Sequence, residues 1–279
     1  MKHREGSYTG RRNLRIYIQS WLPERVRASV VIVHGLGEHS GRYAHVAKAL
    51  VDSGCAVYAL DLRGHGQSEG SRAMIDRFSH AVEDIHQLVE KVRKRYSGKP
   101  QFLLGHSMGG ALSLRYALKY GDRISGLILS GPAVALDGAP ACIKLISKFF
   151  SLFFPKLGTF PIKPGLVTRD KKMVAAYTAD ALNCHGRVPV RTLAEIVRFV
   201  EWLPSRLKSL KLPTLLMHGG EDKSAGVSGS RMVHDKISSQ DKTLKVYAGL
   251  YHEIFNELPA ARAKVLKDLT GWIDQRLAA

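Results

Sequence analysis

An apolar run, Phe102-Leu103-Leu104, passes directly into Gly105-His106-Ser107-Met108-Gly109 and then into Ala111-Leu112-Ser113-Leu114, so a short strand must turn at once into a helix. Few folds accommodate that. A G-x-S-x-G pentapeptide is weak evidence in a chain with 26 glycines, and its place between strand and helix is what makes it specific. Small flanking residues permit a tight turn, the Ser107 hydroxyl then projects clear of the sheet, and the start of the helix supplies backbone donors beside it. Ser107 reads as a nucleophile rather than an ordinary turn serine.

The rest of the chain supplies the sheet that such a turn needs. Short β-branched runs at residues 14–21, 29–33, 56–60, 101–104, 126–130, 213–217 and 244–248 alternate with amphipathic stretches at 43–51, 78–96, 112–120, 230–237 and 261–277. In the second of these, Phe78, Val82, Ile85, Val89 and Val92 share one face. The pattern predicts an α/β fold, a mostly parallel sheet flanked by helices. From about residue 133 to residue 210 the rhythm breaks: no strand is evident, and Pro140, Pro155, Pro161, Pro164, Pro189 and Pro204 cut the segment into short helical pieces. The alternation resumes at Pro213, which divides the chain into a core of residues 1–132 and 211–279 and an inserted helical cap, or lid, of residues 133–210. There is no internal repeat and no low-complexity tract.

A length of 279 residues, 45% hydrophobic and 24% charged, is that of an ordinary globular chain and excludes disorder, collagen and a disulfide scaffold. No apolar run approaches the roughly 18 residues of a spanning helix. The basic start, Met1-Lys2-His3-Arg4 with Arg11-Arg12, lacks the apolar stretch a secretion signal requires. Cys55, Cys142 and Cys184 are odd in number and without C-x-x-C spacing, which suits reduced thiols in a cytoplasmic protein; Cys55 opens a strand-like run and reads as core. The net charge of +18 is spread along the whole chain, so it reads first as a solvated surface and second as attraction to anionic lipid. No nucleic-acid partner is expected, because there is no recognised fold signature and no basic stripe interleaved with aromatics.

A serine hydroxyl needs a base to take its proton, and the base needs a group to fix its tautomer. In this kind of fold the order is serine, acid, histidine. Among the 12 histidines, His185 and His218 follow Ser107 without a loop acid before them. His234 falls inside a helical stretch, whereas His252 lies just beyond a strand, in the loop after Gly249-Leu250-Tyr251, where the carboxyl edge of the sheet places catalytic groups. His252 is the expected base. For the acid, the strand at 213–217 leaves through His218-Gly219-Gly220-Glu221-Asp222; Asp222 fits best and Glu221 is its close rival. The oxyanion donors expected are the backbone N–H of Met108, after the nucleophile, and that of Leu36, in the loop His34-Gly35-Leu36-Gly37. Activity should fall below about pH 6 as a histidine with a reference pKa near 6.5 protonates.

His34-Gly35-Leu36-Gly37-Glu38-His39-Ser40-Gly41-Arg42-Tyr43, Asp61-Leu62-Arg63-Gly64-His65-Gly66-Gln67-Ser68-Glu69-Gly70 and Gly105-His106-Ser107-Met108-Gly109-Gly110 together resemble monoacylglycerol lipases of the α/β-hydrolase fold. The resemblance runs from about Gly10 to the C-terminus and takes in His218-Gly219 before Asp222, Tyr251-His252-Glu253, and a stretch from Tyr177 through His185-Gly186-Arg187 similar to the bacterial members. It implies an esterase that forms an acyl-enzyme on Ser107 and releases fatty acid from a monoacylglycerol or similar single-chain lipid ester. Sequences of this kind are also described as lysophospholipases, and broad carboxylesterase activity or silent lipid binding are the remaining alternatives. The same triad of Ser107, Asp222 and His252 is implied, with Leu36 and Met108 as oxyanion donors, and Arg42 and Tyr177 near the polar end of the substrate. Asp180 is followed by Ala181 where the family usually has proline, and Asp222-Lys223-Ser224-Ala225 lacks the usual apolar residue after the acid.

Within the insertion, residues 143–154 set Phe149, Phe150, Phe153 and Phe154 against Lys144 and Lys148. Facing outward, these rings would dock on an anionic membrane; packed inward, they would line an acyl tunnel, which is the arrangement preferred here since a tunnel needs apolar walls. His34, His65 and His106 stand in glycine turns and read as hydrogen-bonded scaffolding; no metal and no cofactor are expected. Glu38 and Arg42 have a second reading as an ion pair holding the oxyanion loop. Asp61 is not where dehalogenases and epoxide hydrolases place their nucleophilic acid, and Cys184 reads first as a buried thiol and second as a residue near the pocket.

Overall fold

The computed structural model of the protein describes residues 1–136 and 141–278, the side chains of 141–144 excepted. The chain opens with β1 (Lys2–Thr9) and β2 (Arg15–Leu22), followed by β3 (Ala28–Val33), α1 (Ala44–Asp52), β4 (Cys55–Leu60), α2 (Phe78–Arg95), β5 (Gln101–His106), α3 (Met108–Tyr120) and β6 (Gly126–Ser130). Next come α4 (Ala141–Phe153), the small antiparallel pair β7 (Gly158–Pro161) and β8 (Arg187–Pro189) with α5 (Lys171–Ala179) between them, and α6 (Val190–Trp202). β9 (Thr214–Gly219), α7 (Val227–Lys236), β10 (Lys242–Tyr247) and α8 (Pro259–Leu277) complete it.

Eight strands make one sheet in the order β1-β2-β4-β3-β5-β6-β9-β10, antiparallel at β1/β2 and β2/β4 and parallel elsewhere. The central strands are buried on both faces, which is why they read as continuous apolar runs rather than as alternation. Val31, Val33 and Leu103 pack with Phe78, Val82 and Ile85 of α2 on one face, while Val30, Ile32 and Phe102 pack with Val46 and Leu50 of α1 and Trp272 of α8 on the other. Pairing of Val33 with Gly105, His106 with Ser130 and Ser130 with Met217 brings the carboxyl ends of β3, β5, β6 and β9 to one rim. Every element named below as part of the site leaves the sheet there.

Three strands escape the sequence reading, two of them in the segment where none is expected. β1 spells KHREGSYT and buries only Tyr8, so it has no apolar period to detect; its charges suit an edge strand, where they discourage pairing with another chain. β7 and β8 span four and three residues and include Pro161 and Pro189, too short and too proline-marked to register as strands. The inserted segment is not independent of the core: Ile196, Phe199 and Leu203 of α6 and the turn after it join the cluster around α2 and α3. Among the described residues no helix is long and apolar enough to cross a membrane.

Candidate active site

β5 ends at His106 and α3 starts at Met108, so Ser107 alone makes the turn, with φ 52° and ψ −119°. That is a conformation L-residues avoid, at a cost of about 1–3 kcal/mol, and it persists only because its surroundings impose it. Here the Ser107 N–H donates to Ser130 O at 2.9 Å, and Ser107 O accepts from Ala111 N at 3.1 Å and Ala133 N at 3.0 Å. The glycines of the pentapeptide serve close approach: a Cβ on Gly109 would collide with the carbonyls of Val33 and His34, and one on Gly105 with Gly109 O. The turn lifts Ser107 to half-exposure between buried neighbours.

The loop after β10 brings His252 to this hydroxyl, and the loop after β9 brings Asp222 to His252. His252 Nε2 lies 2.8 Å from Ser107 Oγ, and His252 Nδ1 lies 2.6 Å from Asp222 Oδ2. With Nδ1–H donating to the carboxylate, Nε2 is left free to accept the serine proton, the tautomer a general base requires. Asp222 is anchored on its other oxygen, Oδ1 accepting from Ser224 N at 2.8 Å and Ala225 N at 2.9 Å. Ser224 and Ala225, just after the acid, thus serve through their backbone. Glu221, the rival in sequence, is exposed and sends only its backbone N–H inward, to Leu250 O.

His218, which sequence reasoning set aside, is also at the acid. Its Nε2 is 3.0 Å from the same Oδ2 that receives His252, and its Nδ1 is 2.7 Å from Ser230 Oγ. The i, i+4 spacing of His218 and Asp222 around two glycines was the available signal, but it carries weight only once both are known to leave one strand end.

On the other side of Ser107 stands the loop after β3. A Cβ built on Gly35 would lie 3.2 Å from the Ser107 Cβ, so the Leu36 peptide runs alongside the nucleophile. Met108 opens α3, where the first turn leaves backbone N–H groups without intrahelical partners. Glu38 holds the loop, its Oε1 accepting from Gly35 N at 2.6 Å and from Tyr43 Oη at 2.7 Å. Arg42 donates to Glu38 and, across the site, to Glu253, while the Tyr177 hydroxyl donates to Gly37 O at 2.8 Å. Cys184 is buried and its N–H also donates to Gly37 O at 2.8 Å; Cys55 is in the core, and the Cys142 side chain lies outside the described residues. Asp61 accepts from Ser40 and Gln67 and keeps away from Ser107's position in the sheet.

Charge is distributed to suit a base. Burial disfavours the imidazolium of His252, yet the hydrogen bond to Asp222, the charge of Asp222, and the carboxylates of Glu253 and Glu38 together hold its pKa above the usual 6.5. Asp222 is pushed up by burial but pulled well below the carboxylate range by its bonds to His218 and His252. His106, whose ring centroid is 4.7 Å from that of His252, is driven down to about 4 by burial and by the charge of His252. It therefore stays neutral when His252 takes a proton. His34 and His65 are likewise bonded within their turns, at Gly35 O and Arg63 O.

With the neutral imidazole of His252 as the base, activity would be present above its pKa and lost as pH falls through it. Since that pKa is raised, the acid limb of kcat/KM should have its midpoint above pH 6.5, higher than a free histidine suggests. A pH–rate profile with its midpoint at or below about 6 would contradict the geometry.

A family model described as serine aminopeptidase, S33 matches residues 24–259. The chain is 39% identical to a monoacylglycerol lipase from Mycolicibacterium smegmatis over 98% of this chain and 98% of that protein. It is 35% identical to the monoglyceride lipase of Homo sapiens, covering 94% of this chain and 88% of the human one. Among solved structures, the monoacylglycerol lipase of Paleococcus ferrophilus superposes with a TM-score of 0.84 at 31% identity, covering 92% of this chain and 97% of that one. The matched span runs from before β3 to the start of α8 and so includes the nucleophile turn and the loops of Asp222 and His252. By that match and by these full-length likenesses, the chain belongs to the serine aminopeptidase, S33 family, hydrolases of the α/β-hydrolase fold.

Proposed function

We propose that the protein hydrolyses the ester bond of monoacylglycerols. The observation that carries this reading is the unbroken hydrogen-bonded run from Ser107 Oγ through His252 to Asp222 at the carboxyl rim, in a chain whose relatives are named for that reaction. Ser107 Oγ attacks the carbonyl carbon as His252 Nε2 takes its proton, and the N–H groups of Leu36 and Met108 receive the oxyanion. The imidazolium then protonates the departing glycerol oxygen, leaving the acyl group on Ser107. Water, deprotonated by His252, attacks that ester and releases the fatty acid. The polar end of the substrate lies beside the oxyanion loop, bounded by Arg42 and Tyr177.

We read residues 133–210 as a cap over the core of 1–132 and 211–279, and its outer surface as the lipid contact. Phe149, Phe153 and Phe154 are 59%, 65% and 61% exposed, and Leu145 and Leu152 also face solvent, where an inward acyl lining was the preferred expectation. An apolar patch of this kind needs a partner. Residues 142–169 contain Lys144, Lys148, Lys156, Lys163 and Arg169 and no acidic residue, and although Lys148 pairs with Glu201 and Arg169 with Glu257, the balance favours an anionic bilayer approached from a reducing cytoplasm, where Cys55 and Cys184 stay free thiols. Phe149→Ser with Phe153→Ser should weaken co-sedimentation with phosphatidylglycerol vesicles by about tenfold or more and leave hydrolysis of a short soluble ester unchanged.

The reading as a whole is tested in two steps. A fluorophosphonate should label the protein stoichiometrically at Ser107, and the enzyme should cleave monoolein faster than lysophosphatidylcholine. No adduct would turn the reading toward lipid binding without catalysis; faster cleavage of the phospholipid would reassign the head group.

A further inference from the structure

The loop that carries the oxyanion donor and the loop that carries the base come from different halves of the chain, after β3 and after β10. No covalent constraint sets their separation. We propose that Arg42 and Glu253 brace these two loops against each other and are positioning residues for acyl transfer, which makes Arg42 a part of the machinery rather than a ligand of the head group. The proposal rests on the serine-hydrolase reading above.

Arg42 Nη1 donates to Glu38 Oε2 at 2.6 Å and to Glu253 Oε1 at 2.8 Å, and Nη2 donates to Glu253 Oε2 at 2.7 Å. Each carboxylate reaches a reacting group in one further step. Glu38 accepts the N–H of Gly35, next to Leu36, and Glu253 follows His252 directly. The line from oxyanion loop to base is thus Gly35 N–H, Glu38, Arg42, Glu253, and then the backbone of His252. Glu253 is further fixed by Asn256 Nδ2 at 2.9 Å and by its own N–H to Val167 O at 2.7 Å.

Planarity is what the guanidinium contributes. Its fork meets one carboxylate with two parallel bonds while a third N–H bond goes to the other, an arrangement an ammonium cannot reproduce. The side chains of Arg42, Glu253 and Glu38 are 7%, 7% and 3% exposed, so solvent screens little. Glu38 shows the strength of the setting: burial alone would raise its pKa, yet Arg42, with His106 and His34, brings it down to about 2. The guanidinium carbon lies 4.9 Å from the centroid of the Tyr177 ring, which covers one of its faces. A head-group ligand would present its N–H groups to the site; here three of the bonds they make are directed to the chain's own carboxylates.

The groups that face His252 are Asp222, His106, Ser107, Glu253 and Glu38, with Arg42 beyond the last two. Removing the charge of Glu253 therefore has a definite sign: the imidazolium loses support, and the acid limb moves to lower pH. Wild type, Arg42→Lys and Glu253→Gln would be assayed from pH 5 to 9 on a monoacylglycerol and on p-nitrophenyl butyrate, which has no glycerol. Since a misplacement of about 1 Å costs about 10²-fold, Arg42→Lys should lose about 10- to 100-fold in kcat on both esters alike, with KM within about threefold of wild type. Glu253→Gln should lose kcat on both and shift the acid limb downward.

A loss confined to the monoacylglycerol, or one seen in KM, would make Arg42 a head-group ligand and overturn the brace. So would kcat within about twofold of wild type on both esters, or an unmoved acid limb in Glu253→Gln. Should Arg42→Lys not fold, the near-isosteric Glu253→Gln decides the matter by its pH profile. Fluorophosphonate labelling of wild type separates the two levels: no adduct defeats the serine-hydrolase reading, whereas an adduct with unshifted variants defeats the brace alone.

Discussion

Ser107→Ala is expected to lower kcat for ester hydrolysis by about 10⁶-fold and to abolish fluorophosphonate labelling. In the proposed mechanism this hydroxyl forms the acyl intermediate, and its removal leaves only binding and the backbone donors, which by themselves give a residual acceleration of about 10³–10⁴ over water in enzymes of this type. The folded state should tolerate the change. Ser107 spends its backbone on Ser130 O, Ala111 N and Ala133 N, and alanine keeps all three bonds at the same φ. A variant with an unchanged melting temperature and activity near that of wild type would show that ester cleavage proceeds elsewhere in the molecule.

Asp222→Asn should cost about 10⁴-fold in kcat, less than removal of the nucleophile because Ser107 and the donors remain. Asp222 accepts hydrogen bonds from Ser224 N, Ala225 N and His252 Nδ1, and His218 Nε2, 2.7 Å from Ala225 O, also lies 3.0 Å from its Oδ2. An asparagine has one acceptor oxygen. If that oxygen keeps the two backbone donors, the amide NH₂ confronts both histidines, and His252 must present Nδ1 as an acceptor. Its proton then sits on Nε2, pointing at Ser107, so the base cannot take the serine proton. The loss should appear at every pH, because no protonation state repairs the tautomer. Activity within about tenfold of wild type would mean that the carboxylate does not orient the base.

Site and sequence agree where chemistry is coded locally. The turn at Ser107 could be read because strand, pentapeptide and helix are contiguous, and His252 and Asp222 because each follows a strand by a few residues. The parts that escaped are contacts between distant residues. Arg42 and Glu253 are separated by 211 positions, and nothing in either neighbourhood points to the other. His218 was passed over because it was judged as a base for Ser107, when its place is on the far side of the acid. The orientation of α4 was equally hidden. Its sequence carries a polar stripe, Lys144, Ser147, Lys148 and Ser151 at helical spacing, which by the usual rule would mark the outside, yet Ser147 and Ser151 are buried while Leu145, Phe149 and Phe153 face solvent.

Gly37 O accepts bonds from two residues of the inserted segment, the hydroxyl of Tyr177 and the N–H of Cys184, while the next residue, Glu38, is tied into the carboxylate pair. The inserted segment is therefore tied to the residue next to Leu36. A displacement of Tyr177 or Cys184 from this loop would either break both bonds or pull on the peptide beside Leu36. On the proposed reading, in which the Leu36 amide receives the oxyanion, the seating of the inserted segment and the alignment of that amide are set at one joint.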